Sequence, residues 1–251
     1  MSAGYLRWSL RGVLLAAAII GAAAAWDRLR HAEQFRLRSL LVQGQFARVA
    51  PNDVYRAVHA QLGASFLSVD LAAARATVEA LPWVATASVR REWPGTLRIA
   101  LTEEVPVATW RGRGLLNAAG VEFADGAEAF AALPALAGPD GTAAEVLATY
   151  AEMQRAVAAS GLALARVEQS ERRAWTVWFD DGTQVRLGRR DALPRLGRYA
   201  SVAAPVVAPQ AAHIAYVDMR YANGFALGWR TARPAATGTK KGRTPLEKTD
   251  V

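Results

Sequence analysis

The stretch from Leu81 to Trp110, LPWVATASVRREWPGTLRIALTEEVPVATW, is the feature that most constrains how this chain can fold. Pro94 and Gly95 suit the two central positions of a type II turn, because proline fixes its φ and glycine accepts a positive φ. From Thr96 to Thr102, apolar residues alternate with polar or small ones, which places one face on a core and the other in water. Together with the strand-like run from Val84 to Arg91, this pattern predicts a β-hairpin.

The residues before this hairpin predict one strand and two helices. Apolar residues within 35–42 predict a strand that ends at Gly44. A first helix is predicted by residues that share one face at a spacing of four, namely Val54, Val58 and Leu62. Asp70 is a favourable N-cap for a second helix, which Pro82 ends. This order predicts a small α+β domain in which both helices cover one face of the sheet.

The region from 105 to 230 predicts a second domain, a mixed and mostly antiparallel β domain with flanking helices. Thr142 and Glu145 have the pattern of a capping box at the start of a helix that Gly161 closes. Asp191 is a candidate N-cap for one more helix. The strand-like segments are Val107 to Arg111, Leu115 to Asn117, Leu162 to Gln169, Trp175 to Phe179 and Gln184 to Leu187.

The last hairpin-like segment is predicted to place its second strand at an edge of that sheet. Asn223 and Gly224 are the preferred pair for a two-residue type I′ turn between 213–221 and 225–230. No strand-like segment follows, so the unpaired backbone groups of the final strand must be covered, blunted or used for binding. Gly228 leaves room there for a close backbone approach. The alternative is an interior strand or a short edge without a function.

An uncharged run of fifteen residues, 12–26, predicts a membrane-spanning helix near the N-terminus. It would span about 22 Å of a hydrocarbon core of roughly 30 Å. Trp8 and Trp26 would lie about 27 Å apart along the axis, as interfacial aromatic residues do, and Arg11 would extend toward water. The alternative is a signal peptide that is cleaved near Trp26. Charge does not determine the orientation, because arginines also follow the helix.

Composition and motifs argue against several classes of protein. The chain has no cysteine, which excludes disulfides and thiolate sites. The net charge of +8 comes mostly from arginine. We interpret the basic segments of the chain as solvent-exposed faces rather than as a nucleic-acid site. The histidines, His31, His59 and His213, have no metal-site spacing. Glu103 and Glu104 could form a pair with a raised pKa, but no third catalytic group accompanies them. We predict no enzyme activity, cofactor, metal or small-molecule substrate.

Four motifs resemble the FtsQ/DivIB family of bacterial cell division proteins. They are PWV at 82–84, VRREWPGTL at 89–97, EEVPVATW at 103–110 and YVDMRYANGFALGW at 216–229. Met219 stands where the family usually has leucine. The resemblance implies a cytoplasmic tail (1–11), a transmembrane helix (12–26), a juxtamembrane linker (27–34), a POTRA-like β-α-α-β-β domain (35–104), an FtsQ-type β domain (105–230) and a disordered tail (231–251).

The resemblance also implies a function. Family members are single-pass inner-membrane scaffolds with a cytoplasmic N-terminus and a periplasmic body at the division septum. They bind FtsB, with FtsL and other divisome components, by β-strand addition to the last strand. The implied contact residues are Arg220, Tyr221, Phe225, Ala226, Leu227, Gly228 and Trp229, and the implied membrane-interface residues are Trp8, Arg11 and Trp26. The alternatives are a POTRA-containing outer-membrane assembly or secretion component and a secreted periplasmic enzyme.

Overall fold

A computed structural model describes residues 15–25, 37–59, 66 and 69–230 of the chain. These residues form two compact units. The first unit is drawn from residues 1–107 and 113–129, and the second is drawn from residues 108–112 and from residue 130 onward. The sheet that carries the candidate binding edge belongs to the second unit.

The first described helix, α1, covers residues 15–25. Among the described residues, no helix is both long enough and apolar enough to span a bilayer. The remaining positions of the predicted span, together with Trp8, Arg11 and Trp26, lie outside the described residues. The predicted tail, 231–251, lies outside them too.

The first unit contains a three-stranded sheet with strand order β1-β3-β2. Strand β1 runs parallel to β3, and β3 runs antiparallel to β2. The elements are β1 (Ser39–Gln43), α2 (Pro51–His59), α3 (Leu71–Glu79), β2 (Val84–Glu92) and β3 (Thr96–Glu103). The predicted order of strand, helix, helix, strand and strand is therefore present.

A second hairpin of this unit pairs β5 (Gly114–Leu116) with β6 (Glu122–Asp125). A 3-10 turn, Ala127–Phe130, follows β6.

Helices α2 and α3 cover the sheet with the residues that the sequence pattern indicated. Val54 and Val58 of α2 are fully buried, and α3 contributes buried Ala74 and Val78 to the same apolar cluster. Asp70 caps α3 as predicted, since its carboxylate accepts from the backbone N–H groups at positions 72 and 73, at 2.9 and 3.1 Å. Leu62, the third residue of the predicted α2 stripe, lies outside the described residues.

The predicted central hairpin is confirmed. Its register pairs Glu92 with Thr96, which leaves a three-residue connection, 93–95. Gly95 has a φ of 70°, a conformation that glycine adopts without strain, and the Trp93–Pro94 peptide is cis. Along β3, Leu97, Ile99 and Leu101 are buried, as their alternation indicated.

In the second unit the strand order is β12-β11-β10-β9-β8-β7-β4. The strands are β4 (Ala108–Trp110), β7 (Ala135–Ala137), β8 (Leu164–Gln169), β9 (Trp175–Phe179), β10 (Gln184–Gly188), β11 (Ile214–Asp218) and β12 (Ala226–Trp229). The mixed, mostly antiparallel pairing predicted for residues 105–230 is present, because four of the described strand pairs in that range are antiparallel, β5–β6 included, and three are parallel. The pairs β4–β7, β7–β8 and β10–β11 are parallel, whereas β8–β9, β9–β10 and β11–β12 are antiparallel. Parallel neighbours arise because helical crossovers connect β7 to β8 and β10 to β11.

The helices of this unit are α4 (Ala143–Ala158), α5 (Ala192–Arg198) and α6 (Ala204–Val207). A π-helical turn, Tyr199–Ala203, joins α5 to α6, and a 3-10 helix, Ala208–His213, leads into β11. On α4, the buried residues are Val146, Met153 and Val157.

Thr142 and Asp191 occupy the N-cap positions of α4 and α5, as predicted, but neither side chain bonds to the first turn of its helix. The Thr142 hydroxyl donates to the Pro139 carbonyl, and the Glu145 carboxylate accepts from Gln169 and Arg173, so no capping box forms. Asp191 precedes α5 with a φ of 55° and makes no side-chain bond to the helix. In both cases tertiary partners or backbone conformation override the local pattern.

Candidate protein-binding edge

Strand β12 lies at the end of the strand order, and among the described residues it pairs with β11 alone. The predicted edge position is therefore present. All four residues of β12 are half-buried. The register pairs Ile214 with Trp229, Tyr216 with Gly228, Val217 with Leu227 and Asp218 with Ala226. This strand therefore offers one side of its backbone to a further strand.

The hydrogen bonds at the two ends of β11 identify which backbone groups face outward. The Arg230 N–H donates to the His213 carbonyl at 2.8 Å, and the Met219 N–H donates to Arg186 of β10 at 2.9 Å. Successive residues of a strand alternate the direction of their backbone groups. The groups of Ala226 and Gly228 therefore face β11, and those of Leu227 and Trp229 face away from it. No described side chain forms a hydrogen bond with the outward groups of Leu227 or Trp229.

The two faces of β12 differ in chemistry. Leu227 and Trp229 lie opposite Val217 and Ile214, which are buried, so their side chains adjoin the core. On the other face, Gly228 lies beneath the ring of Tyr216. An added Cβ on Gly228 would come within 2.6 Å of Tyr216 Cδ1 and Cζ. The space that the sequence suggested for an incoming backbone is thus filled by the chain's own tyrosine.

The Tyr216 ring is held on its other side by Arg186 of β10. The Arg186 guanidinium lies 3.6 Å from the ring centroid, which is the geometry of a cation–π contact. The side chains of Arg186 and Tyr216 therefore form a stack that ends on the backbone of Gly228. This stack fixes β12 against the sheet without using the outward backbone groups of the strand.

The connection between β11 and β12 is longer than predicted. Because Asp218 pairs with Ala226, seven residues, 219–225, join the strands instead of a two-residue Asn-Gly turn. Gly224 is not among the residues with positive φ, which a type I′ turn requires at both central positions. The predicted turn is therefore wrong.

The side chain of Arg198, at the end of α5, holds this longer loop. Its guanidinium donates to the Ala222 and Tyr221 carbonyls at 2.7 Å each and to the Met219 carbonyl at 3.2 Å. Three backbone acceptors on one guanidinium give the loop a defined conformation, because the donors of arginine form a rigid fork.

Asp218 and Arg220 form an ion pair where the loop leaves β11. Asp218 is only 4% exposed, and its carboxylate accepts from Arg220 Nε at 2.9 and 3.0 Å and from Nη2 at 2.6 Å. Hydrogen bonds from the Arg220 side chain, opposed in part by desolvation, hold the pKa of Asp218 below its usual value. The same pair raises the pKa of Arg220. The guanidinium predicted to contact a partner therefore has a counter-charge in its own chain.

The other predicted contact residues lie together on this edge. Tyr221 is 57% exposed in the loop, and Phe225 is half-buried just before β12. Sequence reasoning missed Tyr216, Arg186 and Arg198, which position the edge from other elements. For Tyr216, the one signal in the sequence is the alternation along β11, which could have indicated the face of the sheet on which its side chain lies.

Glu103 and Glu104, the candidate carboxylate pair, do not lie at this edge, and both accept hydrogen bonds from other groups. The carboxylate of Glu103 accepts from the backbone N–H groups of Ala47, Arg48 and Val49 at 2.7 to 3.2 Å. Desolvation acts to raise the pKa of Glu103, but these hydrogen bonds outweigh it and the net pKa is lowered. Glu104 instead accepts from Asn117, so the predicted pair with a raised pKa is wrong. Among residues of known position, no His, Asp and Glu cluster could hold a metal ion.

Comparison with known proteins matches two segments of the chain to family models. Residues 35–104 match the FtsQ-type POTRA domain, and residues 108–220 match the C-terminal region of cell division protein FtsQ/DivIB. Strand β12, Ala226–Trp229, lies after the end of the second match, beyond the loop residues 221–225. The resemblance indicated by the sequence motifs is confirmed.

Several curated relatives match most of this chain, and they share one name. The Cell division protein FtsQ of Burkholderia pseudomallei is 37% identical over 230 residues, which cover 90% of this chain and 92% of that protein. The Shewanella oneidensis protein of that name is 36% identical over 206 residues, 82% of this chain and 78% of its own. The Escherichia coli protein is 31% identical over 229 residues, with 88% and 82% covered. The chain therefore belongs to the FtsQ/DivIB family of cell division proteins.

Proposed function

We propose that this chain is a non-enzymatic scaffold of the division machinery that binds a partner protein by β-strand addition to β12. The partner we propose is FtsB, together with FtsL. The observation that carries the proposal is the free edge of β12, where the outward backbone groups of Leu227 and Trp229 meet no described side chain. Strand addition uses such groups for affinity and the neighbouring side chains for specificity.

The two faces of β12 determine what the added strand must look like. Next to Leu227 and Trp229 the added strand continues the core side of the sheet, which favours apolar residues at alternate positions. Next to Ala226 and Gly228 the added strand faces the open side, near Tyr216 and Arg186, where polar residues are tolerated. We therefore expect an amphipathic partner strand rather than a uniformly apolar one.

We propose the same cellular arrangement that the family resemblance implies. The N-terminal segment, 12–26, anchors the chain in the inner membrane, with residues 1–11 in the cytoplasm and both units in the periplasm. Such an anchor keeps the β12 edge close to the membrane-bound partner and raises their effective concentration. Fractionation and protease digestion of cells that contain the full-length protein test this arrangement. If both units resist added protease after the outer membrane has been permeabilised, the arrangement is contradicted.

The binding mode is tested with two substitutions at one position. Leu227→Pro deletes both the leucine side chain and the outward N–H, whereas Leu227→Ala deletes the side chain and keeps the N–H. We expect Leu227→Pro to abolish capture of FtsB by the full-length chain in detergent and Leu227→Ala to weaken it only in part. Equal binding by wild type and Leu227→Pro, with unchanged thermal unfolding, would exclude strand addition at β12.

Hydrogen exchange at residue resolution gives a second, mutation-free test. Binding of FtsB should slow exchange of the Leu227 and Trp229 amides, which face outward in the free protein. The Gly228 amide already bonds to β11 and should change little. Uniform protection of all three amides, or protection of none, would contradict the proposed geometry.

A further inference from the structure

The chain enters the first sheet beside the turn of the β2–β3 hairpin. The N–H groups of Arg38 and Ser39 both donate to the Gly95 carbonyl, at 2.8 and 3.3 Å. Ser39 then pairs with Thr96, the first residue of β3. The hairpin connection, 93–95, therefore lies where the chain arrives from its N-terminal segment. We call the following set the hairpin tip: Arg38, Arg90, Trp93 and Pro94.

An exposed tryptophan that is held in place forms the end of the hairpin. Trp93 is 66% exposed, and Pro94 beside it is exposed as well. The Trp93 ring meets the Phe66 ring at 77° with 5.2 Å between the centroids, which is an edge-to-face contact. Phe66 is buried, and its carbonyl accepts from Arg91 Nε at 2.9 Å. The indole therefore has a fixed support while most of its surface faces outward.

The charge at this end of the first unit is positive. Arg38 and Arg90 are exposed. The Glu92 carboxylate accepts from Arg98 Nη2 at 2.7 Å, and the Asp70 carboxylate is used to cap α3. The charged groups of this end leave an excess of two positive charges, since they are the four arginines Arg38, Arg90, Arg91 and Arg98 and the two carboxylates Glu92 and Asp70.

We infer that the hairpin tip docks on the surface of the bilayer, with Trp93 among the lipid headgroups and Arg38 and Arg90 against anionic phosphates. This inference rests on the proposed function, because it requires the anchor at 12–26. Tryptophan is favoured at a membrane interface because its ring is apolar and its N–H is polar. Arginines near anionic headgroups add electrostatic attraction, which weakens as salt increases.

The length of the connection to the anchor supports a bilayer as the occupant. Residues 27–37 connect the proposed span to Arg38, and such a chain reaches about 40 Å at most. The anchor therefore keeps the hairpin tip at a high effective concentration near the headgroups. Docking would also orient the first sheet, because β1 and the parallel strand β3 both begin at the tip and would run away from the bilayer.

The chemistry of the tip favours a bilayer over a protein partner. The Gly95 carbonyl already accepts from the chain's own backbone, so it is not available to an added strand. What the tip presents is one protruding aromatic ring with two flanking charges. A fluid surface of headgroups accommodates that combination without a matching pocket.

The test uses the full-length chain, labelled with 5-fluorotryptophan, in nanodiscs of phosphatidylcholine and phosphatidylglycerol. A small fraction of the lipid carries a gadolinium chelate on its headgroup, which broadens the fluorine NMR resonances of nearby tryptophans. The resonances of Trp93 and Trp26 are identified by their loss in Trp93→Phe and Trp26→Phe. We expect the labelled lipid to broaden both resonances.

Two double variants test the role of charge. Arg38→Glu combined with Arg90→Glu should lower the ratio of docked to undocked protein by about tenfold, so that the Trp93 resonance becomes narrow while that of Trp26 stays broad. Arg155→Glu combined with Arg172→Glu changes the net charge equally at exposed positions of the second unit. That control should leave the Trp93 resonance as broad as in wild type.

The outcomes separate this inference from the proposed anchor. If the lipid broadens Trp26 but not Trp93, the anchor stands and the docking inference is overturned. If it broadens neither, the anchor fails and the inference fails with it. Equal broadening of Trp93 in wild type and in the Arg38/Arg90 variant would show that the connection alone keeps the tip near lipid, which overturns docking. A Trp93 resonance that responds to added FtsB but not to lipid would assign the tip to a protein instead.

Discussion

In the first unit, side chains bond to outward backbone groups of both outer strands, whereas the outward groups of β12 meet no described side chain. The Ala87 N–H of β2 donates to Glu79 Oε1 at 3.0 Å, and Arg75 holds that carboxylate at 2.9 Å. On β1, the Tyr55 hydroxyl donates to the Leu40 carbonyl at 2.9 Å. Both contacts satisfy groups that another strand would otherwise use.

The contrast shows that one chain can protect the edges of one sheet and leave an edge of another sheet unprotected. An unprotected edge invites pairing with other chains, so natural sheets usually blunt it. Here the blunting residues come from α2 and α3, the helices that already cover the first sheet. On β12 the supporting side chains, Tyr216 and Arg186, contact only the face of the strand. The second unit therefore keeps its edge rigid and open.

The largest effect is expected where that support is removed. Gly228→Val places a side chain where the Tyr216 ring lies, so the stack with Arg186 must break or β12 must detach. We expect the free energy of unfolding to fall by about 2 kcal/mol, as in other overpacked sites, and FtsB binding to be lost. Chemical denaturation of the second unit and FtsB capture measure the two effects.

Gly224→Val is the matched control, since an added Cβ there meets nothing within 4 Å. We expect it to unfold and bind like wild type. Tyr216→Ala in the Gly228→Val background should restore part of the stability by vacating the space. A Gly228→Val protein with wild-type stability and binding would show that the stack does not support the edge.

Local sequence patterns predicted the parts of the fold that short-range physics determines. Alternation identified the buried face of β3, and helical spacing identified the buried face of α2. The predicted edge position of β12 followed from the lack of a strand-like successor. These features depend on residues within one or two turns of each other, so the sequence contains them directly.

Long-range partners account for the wrong predictions. Asn223 and Gly224 favour a tight turn, but Arg198, more than twenty residues away, stabilises a wider loop with three hydrogen bonds. Glu145 leaves its expected capping role because Gln169 and Arg173 supply better donors. Such competition depends on which residues the fold brings together, and local secondary-structure propensity carries no information about those contacts.

A smaller effect is expected from the ion pair at the base of the β12 loop. The pKa of Asp218 is lowered by hydrogen bonds from Arg220, so the pair contributes stability above the unfolded pKa of about 3.9 and loses it as pH falls through the folded pKa. Because Arg220 is largely exposed, we expect a contribution of only about 1 kcal/mol at neutral pH. Denaturant midpoints of wild type and Asp218→Asn from about pH 7 to about pH 3 measure it.

Asp218→Asn should be less stable than wild type at neutral pH and should approach it in acid. The carboxylates of the first unit titrate in both proteins and cancel in the difference. A difference between the two proteins that stays constant over the whole pH range would mean that the ionised form of Asp218 has no special role in holding the loop.

The smallest effect is expected at the blunted edge of the first unit. Glu79→Ala deletes the acceptor of the Ala87 N–H without touching the core of the sheet, so the edge of β2 becomes chemically similar to that of β12. We expect faster hydrogen exchange at the Ala87 amide and slight self-association at high protein concentration. Hydrogen exchange at residue resolution and sedimentation velocity measure these changes.

Arg75→Ala is the control that separates charge from hydrogen bonding, since it removes the ion pair of Glu79 but keeps the acceptor. Its Ala87 amide should exchange nearly as slowly as that of wild type. Unchanged exchange in Glu79→Ala would show that helix α3 already shields β2 by covering it. The first unit would then be protected by packing, and the contrast with β12 would rest on that packing rather than on side-chain hydrogen bonds.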